Sequence, residues 1–137
     1  MTVEAMHNAI RAEVDAAMPA EVLTVIYDNQ DQAAAPGSGR YARVRILGHD
    51  HEQVTCGVTA RFRARGRVVI ELFEPLGQGD KALLENIDTL RTAFLGHRVA
   101  SPQIAFDPPS VTDGTRAGAF YMRSLVIPFR ADELVTT

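Results

Sequence analysis

The sequence predicts an α+β fold: a single domain in which an antiparallel or mixed β-sheet is covered by two α-helices. Three observations predict it. Two segments place apolar residues at steps of three and four, the spacing that lines one face of a helix. Several others alternate apolar and polar residues, or run apolar with β-branched residues, in the manner of strands. The order helix, several strands, helix, two strands lacks the regular strand–helix alternation of a parallel sheet. A chain of 137 residues makes one domain, 1–137, which buries roughly 65–70% of the surface its unfolded form exposes, so neither a metal nor a disulfide is needed to hold it. No internal repeat or second domain is visible.

The first helix is read from Val3, Met6, Ile10, Val14 and Ala17, and Pro19 keeps it from continuing. Val22 to Tyr27 is a short β-branched strand. Asp28 to Gly39 is too polar and too rich in glycine and proline to pack, and is expected to be a long mobile loop. Then come seven of the thirteen arginines, between Arg40 and Arg67. They alternate with apolar residues, so Ala42, Val44, Ile46, Val58, Ala60 and Phe62 turn toward a core while Arg43, Arg45, Arg61 and Arg63 turn away from it. Two strands are expected here, separated by a polar turn at Gly48-His49-Asp50-His51-Glu52. A third strand, Arg67 to Phe73, follows Gly66. A three-residue hairpin loop, Ala64-Arg65-Gly66, places Phe62 opposite Val68 and brings every apolar residue to one side, with Gly66 at positive φ; a two-residue loop would bury arginine.

After Pro75, Gly77-Gln78-Gly79-Asp80 leads into a second helix whose Leu83, Leu84, Ile87, Leu90 and Phe94 form an apolar stripe, with Gly96 just past its end. Two more strands, Val99 to Phe106 and Ala119 to Phe129, are joined by a loop from Asp107 to Gly114. The segment from Asp107 to Gly118 is expected to be mobile like the earlier loop. Pro102 and Pro128 are expected near sheet edges or strand ends, because proline donates no ladder hydrogen bond.

Charge narrows the function. The Arg40–Arg67 segment carries +5 against −8 for the rest, a separation hidden within a net charge of −3. Such a surface suits an anionic partner, and the acidic remainder of an identical subunit would serve. The interface or lumen residues are Arg43, Arg45, Arg61, Arg63, Arg65 and Arg67. Arginine without lysine (Lys81 is the single exception) favours fixed, bidentate pairing with carboxylates. A subunit interface or ring lumen is therefore preferred to a merely solvated face, and that to nucleic-acid contact, since Tyr41 is the one aromatic expected on the arginine face.

Nothing points to an enzyme, and no catalytic, cofactor-binding or metal-binding residue is assigned. Gly77-Gln78-Gly79-Asp80-Lys81-Ala82 fits the permissive dinucleotide pattern, but Asp80 would stand where a pyrophosphate sits, and a turn capping a helix explains the run. His49-Asp50-His51-Glu52 could ligate a metal if folded around one, yet it lacks a distant further ligand and reads as a turn. His7 and His97 are expected at the surface. Cys56 is expected to be a small apolar-like side chain in a strand rather than a nucleophile. A reducing, cytoplasmic setting fits the lone cysteine. No basic start with an apolar run and no bilayer-length apolar stretch is present, so neither export nor a membrane is expected.

The run from Tyr41-Ala42-Arg43-Val44-Arg45-Ile46 through Arg61-Phe62-Arg63-Ala64-Arg65-Gly66 and Val68-Val69-Ile70-Glu71-Leu72-Phe73 to Glu74-Pro75-Leu76-Gly77-Gln78-Gly79, with the closing Leu125-Val126-Ile127-Pro128-Phe129, resembles the tail terminators of long-tailed bacteriophages and prophages. The resemblance covers most of the chain and rests on apolar and turn patterns. It implies a structural virion protein, a subunit that assembles on the head-proximal end of the tail tube, usually as a homohexameric ring, stops its polymerisation and joins the tail to the neck. The partners it implies are identical subunits, the tail tube protein and a neck or head-completion protein, with DNA passing through the ring. The location it implies is the virion tail or neck, after assembly in the host cytoplasm. It implies no cofactor and no reaction. Rival readings are another neck or tail-completion component, and a small nucleic-acid-binding module using the arginine face.

Overall fold

A computed structural model of the chain describes residues 2–22, 24–28, 39–100 and 102–136, without the side chains of His49 and Thr136. Helix α1 (Val3–Ala17) precedes strands β1 (Thr24–Ile26), β2 (Tyr41–Gln53) and β3 (Thr59–Pro75). Helix α2 (Lys81–Phe94) follows, then β4 (Arg98–Val99), β5 (Gln103–Phe106), β6 (Ser110–Val111), β7 (Thr115–Ala117) and β8 (Phe120–Thr136). The strands form one sheet in the order β1-β2-β3-β8-β5-β4, with β6 and β7 also paired to β8. β1 runs parallel to β2 and every other pairing is antiparallel. The fold is thus a small α+β domain with a mixed sheet and two helices.

Both helices pack on one face of that sheet. Met6, Ile10 and Val14 of α1 and Leu83, Ile87, Leu90 and Phe94 of α2 share a core with Val44, Val68, Ile70, Leu72, Leu125 and Ile127. Each helix follows from its sequence. Thr2 caps α1 by accepting the Ala5 N–H at 3.0 Å. The helix stops at Met18, before Pro19. α2 stops at Leu95, and Gly96, at φ +67°, takes the left-handed position that lets the chain leave. Leu84 sits at the rim of its stripe and is exposed. Cover by the helices is only partial, because β3 and β8 are 17 residues long and run out past the point where Thr2, Val3 and Met6 meet Phe62 and Ala64.

The expected hairpin at Gly66 is absent. Residues 59–75 form one uninterrupted strand, paired with β8 from Thr59↔Thr136 to Pro75↔Phe120, and Gly66 is not among the positive-φ glycines. Parity explains the error. Phe62 and Val68 are an even number of residues apart, so a straight strand puts Ala60, Phe62, Ala64, Val68, Ile70 and Leu72 on one face just as a three-residue loop would. Val44 and Ile46, not Phe62 and Ala60, lie opposite Ile70 and Val68.

The polar run Gly48–Glu52 is likewise a strand and not a turn. β2 continues through it, with the register slipping between Leu47 and Asp50 at a β-bulge where Gly48 has φ +70°. Beyond the bulge Asp50 faces Arg65 and Glu52 faces Arg63. The true turn between β2 and β3 spans 54–58, where the Val54 N–H donates to the Arg61 carbonyl at 2.7 Å and Thr55 Oγ1 accepts from the Arg61 N–H at 2.8 Å. Cys56 lies in this turn, exposed rather than in a strand.

The expected loop at Asp28–Gly39 falls, from 29 to 38, outside the described residues. The Asp107–Gly118 segment contains β6 and β7, both laid along β8, so strand pairing within the chain orders it, contrary to the expected mobile loop. Pro102 lies in the turn before β5, as expected, whereas Pro128 is inside the central strand β8. Its carbonyl accepts the Asp107 N–H at 2.8 Å. A strand residue points its N–H and C=O to the same side, so the missing N–H of Pro128 falls where β8 changes neighbour from β5 to β6.

Candidate functional site

The sheet face away from the helices carries the predicted arginines. Strand alternation sends Arg43 and Arg45 of β2 and Arg61, Arg63, Arg65 and Arg67 of β3 to this face, and β8 and β4 add Arg130 and Arg98. Arg43, Arg45, Arg61 and Arg63 turn from the core as expected, and Arg65, expected in a hairpin loop, joins them with Arg67 because β3 runs straight through Gly66. Arg65 and Arg130 are directly opposed across β3 and β8, a like-charge pairing that is unfavourable by itself.

Sequence reasoning missed that the chain itself supplies many of the counter-charges. Arg63 grips Asp132 with two hydrogen bonds, Nε to Oδ1 at 2.8 Å and Nη2 to Oδ2 at 3.1 Å. Arg45 is 3.0 Å from Glu71, Arg65 is 3.1 Å from Glu52, and Arg130 is 3.5 Å from Asp107. Arg43 lies over the Phe73 ring, 5.6 Å from its centre. These acids come from β2, from β3, from β8 and from the chain after β5, and only Glu52 lies inside the arginine-rich segment counted from sequence. Among the described residues, Arg61, Arg67 and Arg98 have no carboxylate within ion-pair distance.

The Arg63 hydrogen bond holds the Asp132 carboxyl below its ordinary value of 3.8, aided by the charges of Arg61 and Arg130 and opposed by desolvation. Depression of the folded pKa gives the sign: the pair's stabilisation is complete above the unfolded value of 3.8 and is lost as pH falls through the lower folded value. Asp132→Asn should therefore lower stability at neutral pH by up to about 1 kcal/mol, and the gap to the parent should close below pH 3.8. Urea unfolding across pH measures this, and a gap that widened in acid would contradict it.

The other end of the face is apolar. Tyr41 and Phe73 stack with ring centres 4.4 Å apart, Phe120 meets Tyr41 edge-on at 5.1 Å, and Ile26 and Met122 join them. More aromatics thus share the arginine face than the sequence suggested, but Tyr41 is 9% and Phe73 6% exposed, too buried to stack on nucleic-acid bases.

Between β3, β8, β5 and β4 the face hollows into a groove of about 550 Å³, bordered by Arg61, Arg63, Arg98, Gln103, Arg130 and Asp132. Elsewhere, strand geometry separates Asp50 and Glu52 from His51. Asp50 and Glu52 belong to the arginine face, while His51 borders a small crevice with Thr2 and Phe62 on the helix side, so they do not converge on one ion. Among the described residues no three potential ligands gather. Gly77–Asp80 is a turn, and Asp80 occupies the cap position of α2 without a capping hydrogen bond from its side chain. His97 is no isolated surface residue: its Nε2 lies 2.6 Å from Glu13 of α1 and its ring stacks on Phe106.

Fold and site together define an α+β domain with one partly helix-covered sheet face and one arginine-bearing face. No family model matches the chain, and no curated protein does. Twelve solved chains match it. One superposes with a TM-score of 0.71 over 96% of this chain and 96% of its own length, at 16% identity. At that identity the likeness is one of fold. No helix among the described residues is long and apolar enough to cross a membrane.

Proposed function

We propose that the chain is a structural subunit of the tail-terminator type, which assembles into a ring of identical copies at the head-proximal end of a phage tail tube. There it ends tube growth and meets a neck component. The observation that carries the reading is the outer end of the β2–β3–β8 ribbon, beyond the helices. Of eight exposed large apolar side chains among the described residues, four gather there: Val54 at 42% exposure, Val58 at 71%, Leu134 at 63% and Val135 at 39%. A monomer has no use for such a concentration, and a subunit contact does. Apolar area at the ribbon end supplies strength, and the charged face supplies orientation. A head-to-tail contact of this kind closes only if each copy is rotated correctly, and the resemblance to tail terminators supports closure at six.

Light scattering on the purified protein should give a particle of several subunits. The Val58→Lys/Leu134→Lys double variant should give a monomer with an unchanged circular dichroism spectrum, since both side chains lie in solvent in the subunit. A parent protein that stays monomeric at high concentration, with and without tube protein, would overturn the proposal. A salt-dependent DNA titration tests the rival nucleic-acid reading.

A further inference from the structure

We propose that the groove between β3, β8, β5 and β4 is a binding site for an extended acidic segment of another polypeptide, whose carboxylates pair with Arg61 and Arg98. Four guanidinium groups border this groove, and Asp132 is the single carboxylate among its lining residues. Arg63 already holds Asp132, and Arg130 is 3.5 Å from Asp107. Among the described residues Arg61 and Arg98 have no carboxylate within ion-pair distance, although Arg61 is near enough to Asp132 to help hold its carboxyl down. Elsewhere on the face, Arg45 and Arg65 each have a carboxylate of their own. The chemistry of this surface is arginine–carboxylate pairing. Arg43 lies over the Phe73 ring and Arg67 stands singly without an ion-paired acid among the described residues, whereas in the groove two such guanidinium groups, Arg61 and Arg98, border one hollow.

The fold makes room for a chain and not just an ion. β4 is the last strand of the sheet, so the groove opens at the sheet's end. There an extended segment can enter beside an edge whose backbone groups are available to it. The planar arginine fork favours carboxylate or phosphate over other anions. Carboxylate is the better fit, because none of the residues lining the groove is an aromatic on which a base could stack. The site stands on its own residues: a monomeric protein would still show it, and a ring built through the apolar ribbon end could lack it.

The test is fluorescence anisotropy with a labelled oligoglutamate peptide at about 0.1 M salt, where charges beyond ~10 Å are screened. The parent should bind saturably, and Arg61→Glu/Arg98→Glu should lose roughly tenfold or more in affinity. Arg61→Gln/Arg98→Gln, which keeps size and polarity, should lose affinity in the same direction and guards against misfolding of the charge-reversed variant. Arg67→Glu, on the same face outside the groove, should stay within about twofold of the parent. Absence of saturable binding by the parent, or equal affinity in the Arg61/Arg98 variants, would overturn the site. Tighter binding of an oligonucleotide of matched charge would also overturn the acidic-peptide assignment and make it a phosphate site.

Discussion

Replacing Gly66 with alanine should destabilise the protein by about 1–3 kcal/mol, the cost of forcing extra volume into a packed site. The cause is close approach. A Cβ on Gly66 would stand 2.6 Å from the Gly48 carbonyl oxygen, 2.7 Å from that of Leu47 and 2.8 Å from Phe129 Cζ. Two of those atoms are backbone, held by the β-bulge, and cannot rotate away. Gly66→Asn separates this cause from a turn. In a left-handed turn asparagine is better tolerated than alanine; against the bulge it is bulkier and should be worse. Urea midpoints of the two variants decide it, and an alanine variant as stable as the parent would mean that β2 does not press on β3 here.

Removing the Arg40 side chain should cost about 2–3 kcal/mol, less than the ~3–5 of a fully buried pair because part of the guanidinium keeps its water. Its partner Glu74 is 1% exposed. Arg40 Nε donates to Glu74 Oε1 at 2.7 Å, and Nη1 reaches Glu21 at 3.3 Å. The Glu74 bond raises the already high Arg40 pKa, so the arginine stays charged at any working pH. Arg40→Ala strands a carboxylate whose other oxygen already lacks a hydrogen-bond partner among the described residues. Arg40→Ala/Glu74→Leu removes the stranded charge and should be more stable than Arg40→Ala alone. Chemical denaturation of the parent and both variants gives the answer, and equal stability of the two would show that the charge is not what destabilises.

The parts of this fold that could be read from sequence were those with a period. Helical spacing placed α1 and α2, and alternation put the arginines on a single face. Alternation carries only parity, so it could not separate a straight β3 from a hairpin at Gly66. The glycine that looked like a turn is small because another strand's bulge lies on it. The polar composition of Gly48–Glu52 looked like a turn for a related reason: these residues pair with β3 where little covers the sheet, and exposed strand resembles loop. Of the site, the basic half was legible. The carboxylates that answer it, Glu71 and Asp132 above all, come into place through pairings with no local signal, as does the Glu13–His97 contact between α1 and the end of α2.

The β3–β8 ladder has a consequence for how the chain finds its structure. Its innermost pair, Pro75↔Phe120, encloses α2 and β4 to β7, and its outermost joins Thr59 to Thr136. β2 and β3, by contrast, meet across a short turn, so that hairpin and both helices can form from local contacts in microseconds. The central seam cannot. It requires closure of a long loop before any rung rewards it, which places refolding among the slower small domains, milliseconds to seconds rather than microseconds. Until that closure, one edge of β3 is an unpaired row of backbone donors and acceptors open to strands of other molecules. Aggregation during refolding would therefore begin at the strand that becomes the best protected in the native sheet.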